Sequence, residues 1–206
     1  MTPAQPPRNP LARLRQFVRP RPAATQFERC ALCGQLLPHD HPHLLELASR
    51  QLACSCQACA LLFQGQPQAR YRPIPRTRVY LPDFQLSDAE WEQLHIPINL
   101  AFFVANDTGK IQAFYPSPAG ATETQLPLEA WPRIVARNPV LQQLEPEVEA
   151  LLVQRIGNQR EHYRVSIDAC YHLVGTIRAR WSGLSGGREV WEEVARFFTH
   201  LRQTSG

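Results

Sequence analysis

The sequence predicts an α+β fold: an antiparallel sheet of two hairpins with packed helices, preceded by a small cysteine-rich module. Three observations carry this. Five of the six cysteines fall between residues 30 and 59. Two later stretches read strand, turn, strand, and apolar residues recur at helical spacing in two segments beyond residue 167.

The chain of 206 residues, 44% of them hydrophobic, is long enough to bury a core. The expected organisation is a Pro/Arg-rich flexible arm at 1–28, a cysteine-rich module at 29–63, an extended linker at 64–83 and an α+β domain at 84–206. In the arm, Pro20 and Pro22 break any helix begun over Leu11 to Val18. The arm has basic residues but lacks the apolar run of a secretory signal, so the chain reads as cytoplasmic. No stretch reaches the roughly eighteen uninterrupted apolar residues that a membrane span requires.

Cysteines in a reducing compartment are poor disulfide candidates, and clustering turns them into metal ligands. Cys30-Ala31-Leu32-Cys33 and Cys56-Gln57-Ala58-Cys59 are two C-x-x-C pairs separated by 22 residues, close to the zinc-ribbon interval. Both thiolates of such a pair reach one ion because the backbone turns tightly around it, and Gly34 supplies the permissive φ. Between the pairs, His43 to Ser49 and Gln51 to Cys54 read as a short hairpin, and the second pair opens a helix at Ala60 to Phe63. The expectation is a treble-clef or ribbon-like zinc module with Cys30, Cys33, Cys56 and Cys59 as ligands. Cys54, His41 and His43 are alternates for the same site. Iron, in a rubredoxin-like site, or an iron–sulfur cluster would use the same cysteines. Zinc is preferred because Cys59 runs straight into an apolar segment instead of a Gly-containing knuckle.

Residues 64–82 are Arg-rich and punctuated by Pro67, Pro73, Pro75 and Pro82, which reads as extended chain or an edge strand. Ser87 and Glu90 form a capping-box pair ahead of Trp91 and Leu94, marking a short helix. Asn99 to Ala105, turn residues Asn106 to Gly109, and Ile111 to Tyr115 form the first predicted hairpin. Pro116 to Gly120 is a predicted loop. Pro127 starts a helix over Leu128 to Ala136 that Asn138-Pro139 closes. Ala150 to Ile156 and Tyr163 to Ile167 form the second hairpin. Asp168 is the expected cap of a helix running to Trp181, and Val190, Val194, Phe198 and Leu201 stripe the last helix.

Charge is asymmetric: residues 1–80 sum to +8 and residues 81–206 to −4. Arginines around a zinc module make a nucleic-acid binder the main rival to a protein-binding role. For catalysis, Cys170 and His172 are the nearest pair, but two residues apart on a helix they face different directions, so Cys170 is expected in the core. The chain is therefore expected not to be an enzyme. The unusual composition of Tyr115, Pro116, Ser117, Pro118, Gly120 and Glu123 marks a partner-binding surface.

The strings CALCG, HPHLLELASRQLACSCQACALLF, NLAFFV, AFYPSPAGATE, NPVLQQLEPEVEALLV, IDACYHLVG and SGGREVW resemble a bacterial family of unknown function associated with actinobacterial-type uptake nickel–iron hydrogenase gene clusters. The likeness runs from Leu11 to Arg202. It implies Cys30, Cys33, His41, His43, Cys54, Cys56 and Cys59 as the metal-module positions and Tyr115 to Glu123 as a signature loop. It also implies a non-catalytic accessory protein for maturation or assembly of such a hydrogenase, with a hydrogenase subunit or maturation factor as partner. The alternatives are a zinc-stabilised nucleic-acid-binding protein and a rubredoxin-like iron electron carrier.

Overall fold

The computed structural model describes residues 28–66, 69–124, 131–183 and 186–206. The arm at 1–27, Pro67, the helix start at Pro127 and Leu128, and Leu184–Ser185 lie outside the described residues. The fold is α+β with antiparallel strands, and its described strands form two sheets.

The small sheet begins with the hairpin β1 (His43–Glu46) and β2 (Gln51–Cys54), followed by helix α1 (Gln57–Leu61) and strand β3 (Tyr71–Pro73). Its order is β2-β1-β3. Arg50 closes the β1–β2 turn at φ 56°, a left-handed position that hairpin turns demand. The Arg- and Pro-rich stretch after α1 thus contributes β3 to this sheet, with Leu44 opposite Pro73. Proline is tolerated there because β3 is an edge strand with one unpaired side.

The large sheet contains β4 (Arg78–Tyr80), β5 (Leu100–Ala105), β6 (Ile111–Ser117), β7 (Gly120–Thr124), β8 (Glu149–Gln154) and β9 (Glu161–Ser166). Its order is β4-β9-β8-β5-β6-β7. The two predicted hairpins, β5–β6 and β8–β9, are therefore joined through β5 and β8 and extended by an edge strand on each side. Helix α2 (Asp88–Gln93) carries the full capping box expected of Ser87 and Glu90. Helices α3 (Trp131–Arg137), α4 (Ile167–Arg180) and α5 (Gly187–Thr204) complete the elements, with a 3₁₀ turn at Pro139–Gln143.

Alternation along the strands sorts their side chains onto two faces. Phe102, Val104, Ala150, Leu152, Tyr163 and Val165 pack with Cys170, Leu173, Val194 and Phe198 of α4 and α5. Ala101, Phe103, Leu151 and Val153 face the other way and pack with Trp91, Trp131 and Ile134. Leu45 of the small sheet joins the first cluster with none of its surface exposed. The small sheet and the main body therefore share one core.

Three expectations are corrected. Pro116 to Gly120 is mostly strand: pairing runs through Pro116 and Ala121 to Ser117 and Gly120, leaving only Pro118 and Ala119 as the turn. On its other side the pairing of β6 with β5 stops at Phe114, short of Pro116. Asp168 is not a cap. Ser166 occupies the N-cap position of α4, without a side-chain cap bond, and Asp168 is the second helical residue, its carboxylate accepting from His43 of β1 and from the Ser166 hydroxyl. The second hairpin begins at Glu149 and hides its polarity: Glu149 is buried yet accepts from Thr77, the Glu145 amide and Arg164, so its charge is compensated.

Candidate metal centre

The first C-x-x-C pair sits in a knuckle built by backbone hydrogen bonds. The Cys30 amide donates to the Gln35 carbonyl at 2.8 Å, and the Gly34 amide donates to the Cys30 carbonyl at 2.9 Å. Gly34 follows Cys33 at φ 75°, where a side chain would be strained. The Ala31 amide donates to the Cys54 carbonyl at 2.8 Å, fastening the knuckle to the end of β2. The second pair opens α1: Cys56 is the N-cap, and its sulfur accepts from the Cys59 amide at 3.4 Å.

These local structures bring the sulfurs of Cys30, Cys33, Cys56 and Cys59 within 4.8 Å of one another. The Cys33 and Cys56 sulfurs are 3.8 Å apart. Tetrahedral zinc with bonds of about 2.3 Å requires sulfurs about 3.8 Å apart, whereas a disulfide requires about 2 Å. The four cysteines could therefore bind a metal ion such as zinc.

Proton affinities in the cluster fit the same reading. Burial pushes Cys30 up, but amide hydrogen bonds from Cys56, Cys33 and Leu32 and a thiol hydrogen bond from Cys33 outweigh it and lower the thiol to about 6. Cys59 goes the other way, to about 12, raised first by its hydrogen bond with Cys56 and then by burial. Without a cation the cluster readily holds one thiolate. A dication is what would let the remaining thiols ionise together.

The alternate ligands stand apart from this set. His41, His43 and Cys54 form a second group whose own donor atoms lie within 4.8 Å of one another. The Nδ1–H of His41 donates to the Pro38 carbonyl at 2.8 Å. The Nδ1–H of His43 donates to Asp168 at 2.8 Å, across 125 residues of sequence. Burial raises the Asp168 carboxyl, but hydrogen bonds from His43, Ser166 and the Ala169 amide bring it below the usual carboxylate range. Its hydrogen bond in turn raises His43 above the ordinary imidazole value, against the pull of burial. Sequence reasoning assigned Asp168 to a helix cap and missed it as a contact of the module, a pairing across 125 residues that no local signal announces.

His41, His43 and Asp168 border a cleft of about 1350 Å³ between the small sheet with α1 and helices α4 and α5. Cys170 is fully buried in the core, where burial drives its thiol strongly upward, so it is no nucleophile. His172 lines the cleft instead.

Tyr115, Pro116, Ser117, Pro118, Gly120 and Glu123 belong to the β6–β7 edge of the large sheet, on different elements from the cysteines. Ser117 stitches the turn: its hydroxyl donates to the Gly120 carbonyl at 3.1 Å and accepts from the Ala119 amide at 3.1 Å. Pro118 and Glu123 are exposed, and Pro116 is buried. Arginines of the basic half face carboxylates: Arg50 pairs with Glu147, Arg70 with Glu46, Arg72 with Asp107 and Arg76 with Asp40. No helix among the described residues is long and apolar enough to cross a membrane.

The model of a family of unknown function, DUF5947, matches residues 29–205, and the chain belongs to that family. No curated protein and no solved structure matches it.

Proposed function

We propose that this member of the DUF5947 family is a non-catalytic accessory protein for maturation or assembly of an uptake nickel–iron hydrogenase. In this reading a structural zinc holds a treble-clef module, and the α+β body binds the partner. The observation that carries it is the meeting of four cysteine sulfurs within 4.8 Å of one another, Cys33 and Cys56 at 3.8 Å, where knuckle, hairpin and helix converge. Four thiolates close the coordination sphere, leaving no position for water or substrate, which suits a structural ion over a catalytic one. The hydrogenase context rests on the sequence resemblance. The β6–β7 turn, with Pro118 and Glu123 exposed at a sheet edge, is the proposed contact surface.

Pairing of Arg50, Arg70, Arg72 and Arg76 with carboxylates removes much of the free cationic footprint that phosphate contact needs, which disfavours the nucleic-acid reading. The Cys56–Cys59 pair opening a helix likewise favours zinc over a rubredoxin-like iron site. The reading is tested by affinity capture of the tagged chain from cells making the hydrogenase. Recovery of a hydrogenase subunit or maturation factor, weakened by Glu123→Arg, supports it. Recovery of neither counts against it.

A further inference from the structure

We propose that His41, His43 and Cys54 form a second metal site, separate from the four-cysteine cluster, that takes a divalent transition cation of the zinc class. Both imidazoles are already set as ligands. A carbonyl can only accept, so the bond to Pro38 fixes the proton of His41 on Nδ1 and leaves Nε2 with a free lone pair. The hydrogen bond to the Asp168 carboxylate likewise orients the His43 ring through Nδ1. A ligating histidine oriented by a carboxylate or carbonyl through its other nitrogen is the arrangement that metal sites use to hold ring and tautomer.

His41 supplies an independent observation. It is only 7% exposed, and its Nε2 is buried without a hydrogen-bond partner. An orphaned buried nitrogen is costly unless something fills the space before it. One nitrogen from each histidine and the Cys54 sulfur lie within 4.8 Å of one another. The Glu28 carboxylate, 3.4 Å from His41 Nε2 at ion-pair distance without a hydrogen bond, would be the fourth donor.

Two imidazoles, one thiolate and one carboxylate or water make a borderline donor set suited to zinc, cobalt or nickel. His41 and His43 line the cleft beside α4 and α5, and five of the chain's seven histidines, His39, His41, His43, His172 and His200, border that cleft.

The proposal stands whether or not the hydrogenase reading holds. The test is zinc content of the full chain, purified under reducing conditions, equilibrated with excess Zn(II) and freed of unbound metal. The expected result is two zinc ions per chain, falling to one in Cys54→Ser and in His41→Gln while the circular dichroism of the fold is kept. Asp168→Asn should retain both ions but weaken one by about 10–100-fold in a chelator competition. Cobalt loading gives a second readout, since loss of Cys54 should remove one set of thiolate-to-cobalt bands and leave the other. One zinc per chain in the wild type, whether unchanged in both variants or abolished by Cys54→Ser, overturns the proposal. Should Cys54→Ser fail to fold, His41→Gln decides between the same two outcomes.

Discussion

Replacing Leu45 by alanine probes whether the cysteine module is an appendage or part of the body. Leu45 lies in β1 of the small sheet, is wholly buried, and packs in the cluster built mainly from the large sheet, α4 and α5. Removing its isobutyl group loses transfer energy and leaves a cavity that a shared, close-packed core cannot fully collapse, which costs about 2–5 kcal/mol. A central value of about 3 kcal/mol corresponds to a drop in melting temperature of about 6–12 °C for a chain of this size. The assay is urea unfolding followed by two probes: tryptophan fluorescence, which includes Trp91 and Trp131 on the opposite face of the large sheet, and zinc release to a chromophoric chelator. Both transitions should move to lower urea together. An unchanged fluorescence transition alongside earlier zinc release would mean that the module unfolds alone, and the shared-core account would be wrong.

Three further outcomes follow from particular side chains. Asn138 is 4% exposed and makes three hydrogen bonds, to the Gln85 amide and to the Gln85 and Ile134 carbonyls. Asn138→Ala should therefore cost about 3 kcal/mol in urea unfolding, and a change under about 0.5 kcal/mol would show that these bonds exchange freely with water. His162 is buried against Phe84 with Nε2 unpartnered, and burial, helped by Arg155, depresses it to about 4. Its folded value lies below the unfolded value of about 6.5, so the unfolded chain takes up the proton first. Stability is full above pH 6.5 and falls as pH drops toward 4, by up to about 3 kcal/mol. His162→Phe should flatten that part of the pH profile, and an unaltered profile would assign the acid sensitivity elsewhere. Cys170, with no exposed surface, should resist alkylation in the native state and react only on unfolding, which mass spectrometry of labelled peptides reads directly.

Features written in neighbouring residues were legible in the sequence. The two C-x-x-C pairs, the Ser87–Glu90 capping box and the Asn106–Gly109 turn each depend on contacts within a few positions. Asn106 alone accepts from the Thr108 and Lys110 amides. What escaped depends on distance or on burial that breaks the expected pattern. Strands β3 and β4, three residues each, lie in the stretch read as extended chain or an edge strand; both are edge strands, and which sheet each joins was not written locally. The β8–β9 hairpin buries Glu149, Gln154, Glu161 and His162, so polarity gave no guide to its faces. The Pro116–Gly120 segment has turn composition but pairs because β7 folds back on it, with Pro116 opposite Ala121 and Ser117 opposite Gly120. At the site, residue spacing grouped His41, His43 and Cys54 as alternates for a ligand of the four-cysteine site. Their separation into a group of their own rests on the extended His41-Pro42-His43 run, whose alternate residues share a side, and on Asp168 far along the chain.

Cys30, Cys33, Cys56 and Cys59 are proposed to bind one zinc ion. Elemental analysis of anaerobically purified protein, read with its visible spectrum and repeated on Cys30→Ser and Cys33→Ser, tests it most directly. The account predicts a colourless zinc protein in which either substitution removes one equivalent. Iron with visible charge-transfer absorption, or zinc content unchanged by both substitutions, would contradict it.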